Sequence, residues 1–436
     1  FKLAVAPHSD LLFSYVHSQT NEGDHGVGSP LVSEQNSPAL RSFTRTNRAE
    51  IGYHQQFRPG SEFVAVFSGQ TTDQVTNDSV KTIILPGFPP EDLGSRFSHS
   101  APNLEVQAAH LLKVSKFQFR YGMDIFEGRS RDQGSYFFKP PYEGYCDAPL
   151  CVNTNEPERM KVRFKTVFMQ SDYVLSKNLL FTVGLNYDWA NYKLSASDYD
   201  HPISKWNPQA GFVFSPFDST TIRFAALKVL QTSTQERLVP THLEGFPVNQ
   251  NEATLTESAG YNFGWDQRFG ERSFLRTTAY KRDRTIPVLG TLPSGDEGQV
   301  DFYGSQYGAA MTFNQFITER WTVVPDYSLT HSNDTFGIRH DHEANLGFFY
   351  IHPRGIFAGV QENYLNQHGV YIGSPTSVGV FTTNVSLSYE FPRKIGLVSV
   401  RVNNLTDRRY AFLVDPLALD QRIPKRQILV LLRFNF

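Results

Sequence analysis

The chain has 436 residues and a formal net charge of −2 at pH 7, a balance that gives no support for a nucleic-acid partner. It contains no run of about 18 apolar residues, so the sequence predicts no transmembrane helix. Aromatic residues make up 14% of the chain, with 36 Phe and 20 Tyr, and many of them stand near the ends of segments that alternate polar and apolar residues.

The first residues predict a hairpin. Residues 1–6 have the character of a strand, residues 7–10 (Pro-His-Ser-Asp) have turn chemistry, and residues 11–18 predict a second strand. The first of these strands is short. We therefore expect its missing half, and a partner for it, to lie upstream of residue 1.

Alternation of polar and apolar residues then recurs along the whole chain, and each such segment predicts a strand with two unlike faces. With the strand at 11–18, these segments give about 18 complete strands besides the short one. They are 48–57, 62–70, 104–114, 117–126, 162–174, 179–194, 205–214, 220–230, 253–269, 273–284, 300–316, 321–332, 342–351, 356–367, 378–391, 396–405 and 426–436.

The connections between these strands alternate between short turns and long loops. Residues 115–116 and 176–178 are typical of the short ones, whereas 71–103, 127–161 and 231–252 are predicted long loops. This alternation is typical of outer-membrane barrels, and a soluble β-sandwich has no reason to show it. The sequence therefore predicts an all-β fold, a transmembrane antiparallel β-barrel that occupies residues 1–436.

The last strand supports this interpretation. Every second residue back from the end is apolar, and on a strand these residues share one face, which we predict to contact lipid. The residues between them, among them Leu431, Arg433 and Asn435, would face the interior. The predicted lipid-facing set is Ile428, Val430, Leu432, Phe434 and Phe436.

Two cysteines, Cys146 and Cys151, flank four residues in a predicted loop. Such a close pair predicts a small disulfide-closed loop in an oxidising compartment, with two free thiols as the alternative. A metal site needs more ligands than the pair supplies.

Polar residues on the other face of several strands are candidates for the barrel lumen. The alternative is that they only solvate a pore or hold a plug in place. The lumen candidates are Arg276, Arg282, Asn384, Glu390, Arg401 and Asn403.

Residues 340–343 (His-Asp-His-Glu), on a predicted loop that enters a strand, are the densest group of potential metal ligands. In a strand His340 and His342 share one face, so they could chelate a metal. We favour a solvated rim there and predict no metal and no cofactor. The sequence has no glycine-rich phosphate loop, no zinc spacing and no converging catalytic set, so an enzyme is disfavoured.

Several segments carry a resemblance to a known family. They are residues 167–173 leading into 181–188, residues 206–214 and 222–226, and residues 402–410 followed by a long loop and the strand that ends at Phe436. Together they resemble the barrel of TonB-dependent outer-membrane receptors, over essentially the whole chain. Residues 238–246 further resemble a subgroup in which the barrel follows tetratricopeptide repeats.

The resemblance implies an outer-membrane receptor of a Gram-negative bacterium that captures a scarce solute with its long outer loops. Siderophores, cobalamin and glycans are the family's substrate range. The expected partners are outer-membrane lipids, the solute and, if a plug domain precedes residue 1, the periplasmic energy-coupling protein. The alternative is an export channel for polysaccharide or protein, coupled to periplasmic tetratricopeptide repeats.

This chain departs from the family pattern in two ways. It contains neither a plug nor the motif that binds the energy-coupling protein, and family barrels have 22 strands where about 18 are visible. We expect upstream residues to supply the difference. The sequence before residue 1 would separate the two functions, because a plug supports import and repeats support export.

Overall fold

The computed structural model describes residues 1–23, 41–82, 91–138, 158–194, 199–232, 238–248, 254–291, 297–335, 337–371, 374–408 and 426–434. Almost all of these residues are in β-strands. Among them, no helix is long and apolar enough to cross a membrane.

Nineteen strands form one sheet and two short strands form a separate hairpin. The first half of the sheet contains β1 (Lys2–Ala6), β2 (Ser9–Gly23), β3 (Arg41–Arg58), β4 (Ser61–Thr82), β5 (Glu91–Val114), β6 (Phe117–Phe138), β7 (Glu158–Ser176), β8 (Leu179–Leu194), β9 (Tyr199–Phe217) and β10 (Thr220–Leu230). The separate hairpin is formed by β11 (His242–Leu243) and β12 (Phe246–Pro247). The second half contains β13 (Glu257–Phe269), β14 (Ser273–Thr291), β15 (Glu297–Phe316), β16 (Trp321–Asp334), β17 (Gly337–His352), β18 (Ile356–Tyr371), β19 (Ser374–Glu390), β20 (Gly396–Asn403) and β21 (Gln427–Phe434).

The sheet is an antiparallel meander in which each strand pairs with the next along the chain. The one departure is that β10 pairs directly with β13, so β11 and β12 stand apart from the sheet. The predicted barrel fold is confirmed, and so is the count of about 18 complete strands preceded by a short one. The short first strand is β1, which pairs with β2 through the turn at residues 7–8.

Most of the strands are longer than the alternation of residues predicts. Residues 71–103 were predicted as one long loop, but β4 continues to Thr82 and β5 begins at Glu91. The backbone ladder between them continues as far as Thr82 and Glu91. Beyond the apolar part of the wall both faces of a strand are polar, so the alternation that marks a strand disappears although its hydrogen bonds do not. The long loops were therefore predicted too long.

The two faces of the wall differ as a barrel requires. On β7 and β8 the residues alternate strictly between buried and exposed, with Phe164 and Phe168 buried and Val167 and Val183 exposed by 60% and 63%. Over residues 167–169 and 181–185 the exposed residues are apolar, and they belong to the outer face. Aromatic rings follow one another around this face, for example Phe181, Phe212 and Phe224, whose successive centroids are 6.2 and 5.8 Å apart. Apolar outer faces with aromatic rows are characteristic of barrels in membranes.

Candidate functional site: the lumenal face

The inner face of the wall is polar around most of its circumference. Strand pairing places Arg282 opposite Gln306, Gln306 opposite Ser332 and Ser332 opposite Arg339, so all four side chains lie on one face. The same face continues through β18 to β19, where it includes Asn384. This face is where a water-filled path through the barrel would run.

All six predicted lumen residues lie on this inner face. Arg276 pairs its Nε with Asp266 at 3.0 Å, and the Arg282 Nε donates to Gln306 Oε1 at 2.7 Å. The Asn384 Oδ1 accepts the backbone N–H of Asn404 at 2.9 Å, which gives that amide a structural role. The remaining three, Glu390, Arg401 and Asn403, follow the same face on β19 and β20. Whether any of them contacts a solute stays a prediction.

A hairpin folds against this inner wall, in the connection between β10 and β13. We call residues 238–248 the inner hairpin. Its turn has Glu244 at φ 51° and Gly245 at φ 82°, both in the left-handed region, as a two-residue type I′ turn requires. Thr241 accepts the backbone N–H of Val248 at 2.8 Å and closes the hairpin.

The inner hairpin is held by apolar contacts with the wall. Leu243, which is 1% exposed, Phe246 and Val248 pack with Ala225 and Leu227 of β10. Further along the wall, Val239 packs with Ala109 of β5 and Phe168 of β7. The Leu238 amide donates to Gln107 Oε1 of β5 at 2.8 Å. Because one short segment contacts strands from β5 to β10, the wall curves around it.

Arg223 of β10 joins the inner hairpin to the neighbouring strands. Its guanidinium lies 5.2 Å from the centre of the Phe246 ring and donates to the Glu244 carbonyl at 3.4 Å. It also contacts the Asp266 carboxylate at 3.0 Å, and Asp266 in turn contacts Arg276. The Arg223 Nε has no hydrogen-bond partner among the described residues. The sequence reasoning missed Arg223, which lies within a predicted strand but was not among the lumen candidates.

A pocket of about 510 Å³ opens between the inner hairpin and β10, β13 and β14. Its walls carry Arg223, Arg276 and Arg282 together with Asn262 and Tyr280. We call it the arginine pocket. The Asp266 carboxylate contacts Arg223 and Arg276 in ion pairs of 3.0 Å each. Three guanidinium groups that line one pocket suit an anionic ligand, because guanidinium binds carboxylate and similar oxyanions.

Glu244 at the tip of the inner hairpin is half-buried. Burial raises the pKa of its carboxyl group above the ordinary value of 4.5, and the nearby negative charge of Asp172 raises it further. A hydrogen bond from Thr182 and the charge of Arg223 act in the opposite direction. The tip of the hairpin therefore carries an acid that favours its neutral form more than a solvated glutamate does.

The predicted lipid-facing set lies on the opposite, outer face. Leu432 lies across from Val398, Val430 from Val400 and Ile428 from Val402, so the two last strands share one apolar surface. Val430 is 70% exposed. Phe434 belongs to the same alternating set, whereas Phe436 lies outside the described residues. Contact of this set with lipid stays a prediction.

The cysteine pair and the histidines of residues 340–343 are the two remaining predicted features. Cys146 and Cys151 lie outside the described residues, so their disulfide stays a prediction. His340 was predicted on a loop, but it lies within β17, on the outer face, with the ring centres of His331 and His368 at 4.3 and 4.8 Å. Among the described residues, no three His, Cys, Asp or Glu side chains are arranged to hold a metal ion.

Comparison with known proteins identifies the family. The model for "TonB dependent receptor-like, beta-barrel" matches residues 7–405. No curated protein matches the chain.

Solved structures share the fold at low sequence identity. The ferric preacinetobactin receptor BauA of Acinetobacter baumannii has a TM-score of 0.67 at 12% identity, over 99% of this chain and 70% of its own. The siderophore receptor PiuA of the same organism has a TM-score of 0.69 at 11% identity, with coverages of 98% and 72%. The ferripyoverdine receptor of Pseudomonas aeruginosa has a TM-score of 0.68 at 10% identity, with coverages of 100% and 64%.

Proposed function

The chain belongs to the TonB-dependent receptor-like β-barrel family, and we propose that it captures a scarce solute and conducts it along the polar inner face. It is an outer-membrane receptor protein of a Gram-negative bacterium. The short turns then face the periplasm and the long connections face the cell exterior. Family membership favours this import function over the export channel.

The proposed solute is an anionic iron chelate, and the arginine pocket is the observation that carries this proposal. Guanidinium groups recognise carboxylate and similar oxyanions through paired hydrogen bonds. Arg223 and Arg276 each lie three residues after the start of their strand, which follows a short turn. Arg282 lies further along β14, away from that turn. The pocket therefore occupies the periplasmic half of the lumen. We assign it to the passage of the solute rather than to its first capture. BauA is a ferric preacinetobactin receptor and the Pseudomonas aeruginosa receptor binds ferripyoverdine, which agrees with this class of solute.

The other proposed partners follow from the family. Outer-membrane lipids would cover the apolar outer face, and a periplasmic energy-coupling protein would drive the transport. The chain spans 64% to 72% of the length of the compared structures. We therefore propose the coupling step for the protein as a whole.

The test uses the full-length protein in cells that lack their own copy. Growth under iron limitation is measured with ferric chelates of different net charge, for the parent and for the double variant Arg276→Gln, Arg282→Gln. We expect the variant to need about tenfold more of an anionic chelate, because each lost charged hydrogen bond weakens binding substantially. A neutral chelate should be affected much less.

A matched control lies on the same strand. Lys281 stands between the two arginines in sequence, and the alternation of β14 directs it to the outer face. Lys281→Gln should leave growth unchanged. If loss of the whole protein leaves growth on every chelate unchanged, the proposed iron uptake is wrong. If loss of the whole protein impairs growth but the arginine double variant grows as the parent does, the pocket has been assigned wrongly.

A further inference from the structure

A group of basic residues occupies the outer face of β6, β7 and β8. On β7, Lys161, Arg163 and Lys165 alternate with the buried residues Val162, Phe164 and Thr166, so the three cations point away from the lumen. Strand pairing places Arg129 of β6 and Lys193 of β8 on the same side. We call Arg129, Lys161, Arg163, Lys165 and Lys193 the outer basic patch.

The height of this patch on the wall follows from strand geometry. A membrane belt about 25 Å tall corresponds to about ten residues of a strand tilted by about 40°. On β7 the belt begins near Tyr173, whose ring stacks on Phe117 at 4.6 Å beside the short turns. About ten residues further along, at the level of Arg163, β7 leaves the belt on the side of the long connections. The patch therefore stands at the outer membrane surface.

Aromatic residues mark the same level. Tyr187 and Trp206 have ring centres 4.7 Å apart on the outer face, and the Lys165 ammonium group lies 5.1 Å from the centre of the Trp189 ring. Tyrosine and tryptophan concentrate where hydrocarbon meets the polar headgroups. Val167, which lies opposite Tyr187 in the ladder, and Met169 on its short-turn side present an exposed apolar surface. The cations thus begin where the hydrocarbon ends.

Three cations of the patch have the same acidic neighbour. Glu127 lies 3.0 Å from Lys161, 3.2 Å from Arg163 and 3.5 Å from Arg129, so one carboxylate serves three cations.

Across the strands, like charges also stand directly opposite each other. Arg129 faces Lys161, and Lys161 faces Lys193. Like charges in directly opposed positions destabilise a sheet unless an anion lies between them. This arrangement is favourable when several anionic groups lie against the wall.

We propose that the outer basic patch binds the phosphate groups of the phosphorylated glycolipid in the outer leaflet. The lipid's acyl chains would cover Val167 and Met169, while its phosphates would lie among the cations of β7. The charges, their height and their outward direction agree with such a headgroup. This binding is independent of the solute carried by the lumen.

The experiment uses the full-length protein in detergent micelles and bisphosphorylated lipid A as the probe. Bound lipid is measured by native mass spectrometry for the parent and for the triple variant Lys161→Gln, Arg163→Gln, Lys165→Gln. Each basic residue near a membrane surface strengthens binding of anionic lipid by about fivefold, so the triple variant should bind about 100-fold more weakly. Parent binding should also weaken as salt is added, because screening reduces these attractions.

Three controls decide the outcome. The matched variant Lys113→Gln, Lys116→Gln, Lys177→Gln removes three exposed cations at the opposite, short-turn end and should bind lipid A as the parent does. Lipid A without phosphates should bind the parent and the triple variant equally. Heat-modifiable migration on gels verifies that each variant is folded.

The proposal is overturned if dephosphorylated lipid A binds the parent as tightly as the bisphosphorylated form. It is also overturned if both triple variants lose binding equally. Inorganic phosphate that displaces lipid A at an equal concentration would show that the patch binds free phosphate rather than a lipid headgroup, and would likewise refute it.

Discussion

Replacing Leu243 by alanine should release the inner hairpin from the wall. Leu243 is 1% exposed and packs with Ala225, Leu227, Phe246 and Val248. Removing a buried leucine side chain costs about 2–5 kcal/mol. The hairpin is outside the hydrogen-bonded sheet, so this loss falls on its docking rather than on the stability of the barrel. The population of undocked hairpin should then rise by about 30-fold to a few thousandfold.

Hydrogen exchange measured by mass spectrometry detects this release. The Leu238 amide, bonded to Gln107 of the wall, reports docking, and the Val248 amide, bonded to Thr241, reports the hairpin itself. Both should exchange faster in Leu243→Ala by the factor given above. Amides of β7 and β8, which are held by strand pairing on both sides, should exchange as in the parent.

The matched control is Leu185→Ala. Leu185 belongs to β8, points to the outer face and is 43% exposed, so its removal leaves the packing of the hairpin intact. It should leave the exchange of Leu238 unchanged. Equal exchange at Leu238 in Leu243→Ala and in the parent would refute the reasoning, because it would mean that the apolar contacts do not hold the hairpin in place.

Three further predictions test other parts of the molecule. A lysine at Leu432 should destabilise the barrel by about 2–4 kcal/mol if that position lies near the bilayer midplane, whereas a lysine at Leu431 should cost little. Unfolding in urea measures both free energies. Equal costs would mean that the face assignment is wrong. Docking of the hairpin should be strongest below pH 4.5 and weaken as pH rises through the raised pKa of Glu244, because the docked state favours the protonated acid. Glu244→Gln should abolish that dependence of Leu238 exchange on pH, and an unchanged dependence would exclude Glu244 as its source. Unreduced peptide mapping should find Cys146 linked to Cys151, and two alkylatable thiols in freshly isolated protein would contradict this.

The sequence predicts the parts of this fold that the membrane imposes. A strand in the belt must present apolar residues to lipid and polar residues to the lumen. Its two-residue alternation can therefore be recognised in the sequence, as in residues 162–174 and 179–194. The short turns can be recognised as well, because they must be polar and tight. The outer ends of the strands cannot be recognised in this way, since no lipid constrains either face there. For that reason β4 and β5 extend well beyond their predicted ends.

The lumenal face was predictable as a face but not as a site. Alternation placed Arg276 and Arg282 inward, and both line the arginine pocket. Alternation could not show that Arg223 lies beside them, because that position depends on the pairing of β10 with β13 across a connection of more than twenty residues. Nor could alternation distinguish Asn384, whose side chain accepts a hydrogen bond from the Asn404 backbone N–H, from residues that could contact a solute.

The inner hairpin has a sequence signal that alternation alone does not use. Gly211 of β9 and Gly264 of β13 lie within strands, where a glycine often marks the close approach of other atoms. A Cβ on Gly211 would lie 2.7 Å from the Glu244 Cγ, and one on Gly264 would lie 3.0 Å from the Phe246 ring. Both glycines thus leave room for the tip of the hairpin. Inward glycines on the two strands that flank β10, together with a Glu-Gly turn between them in sequence, indicate that this connection folds into the barrel instead of over it.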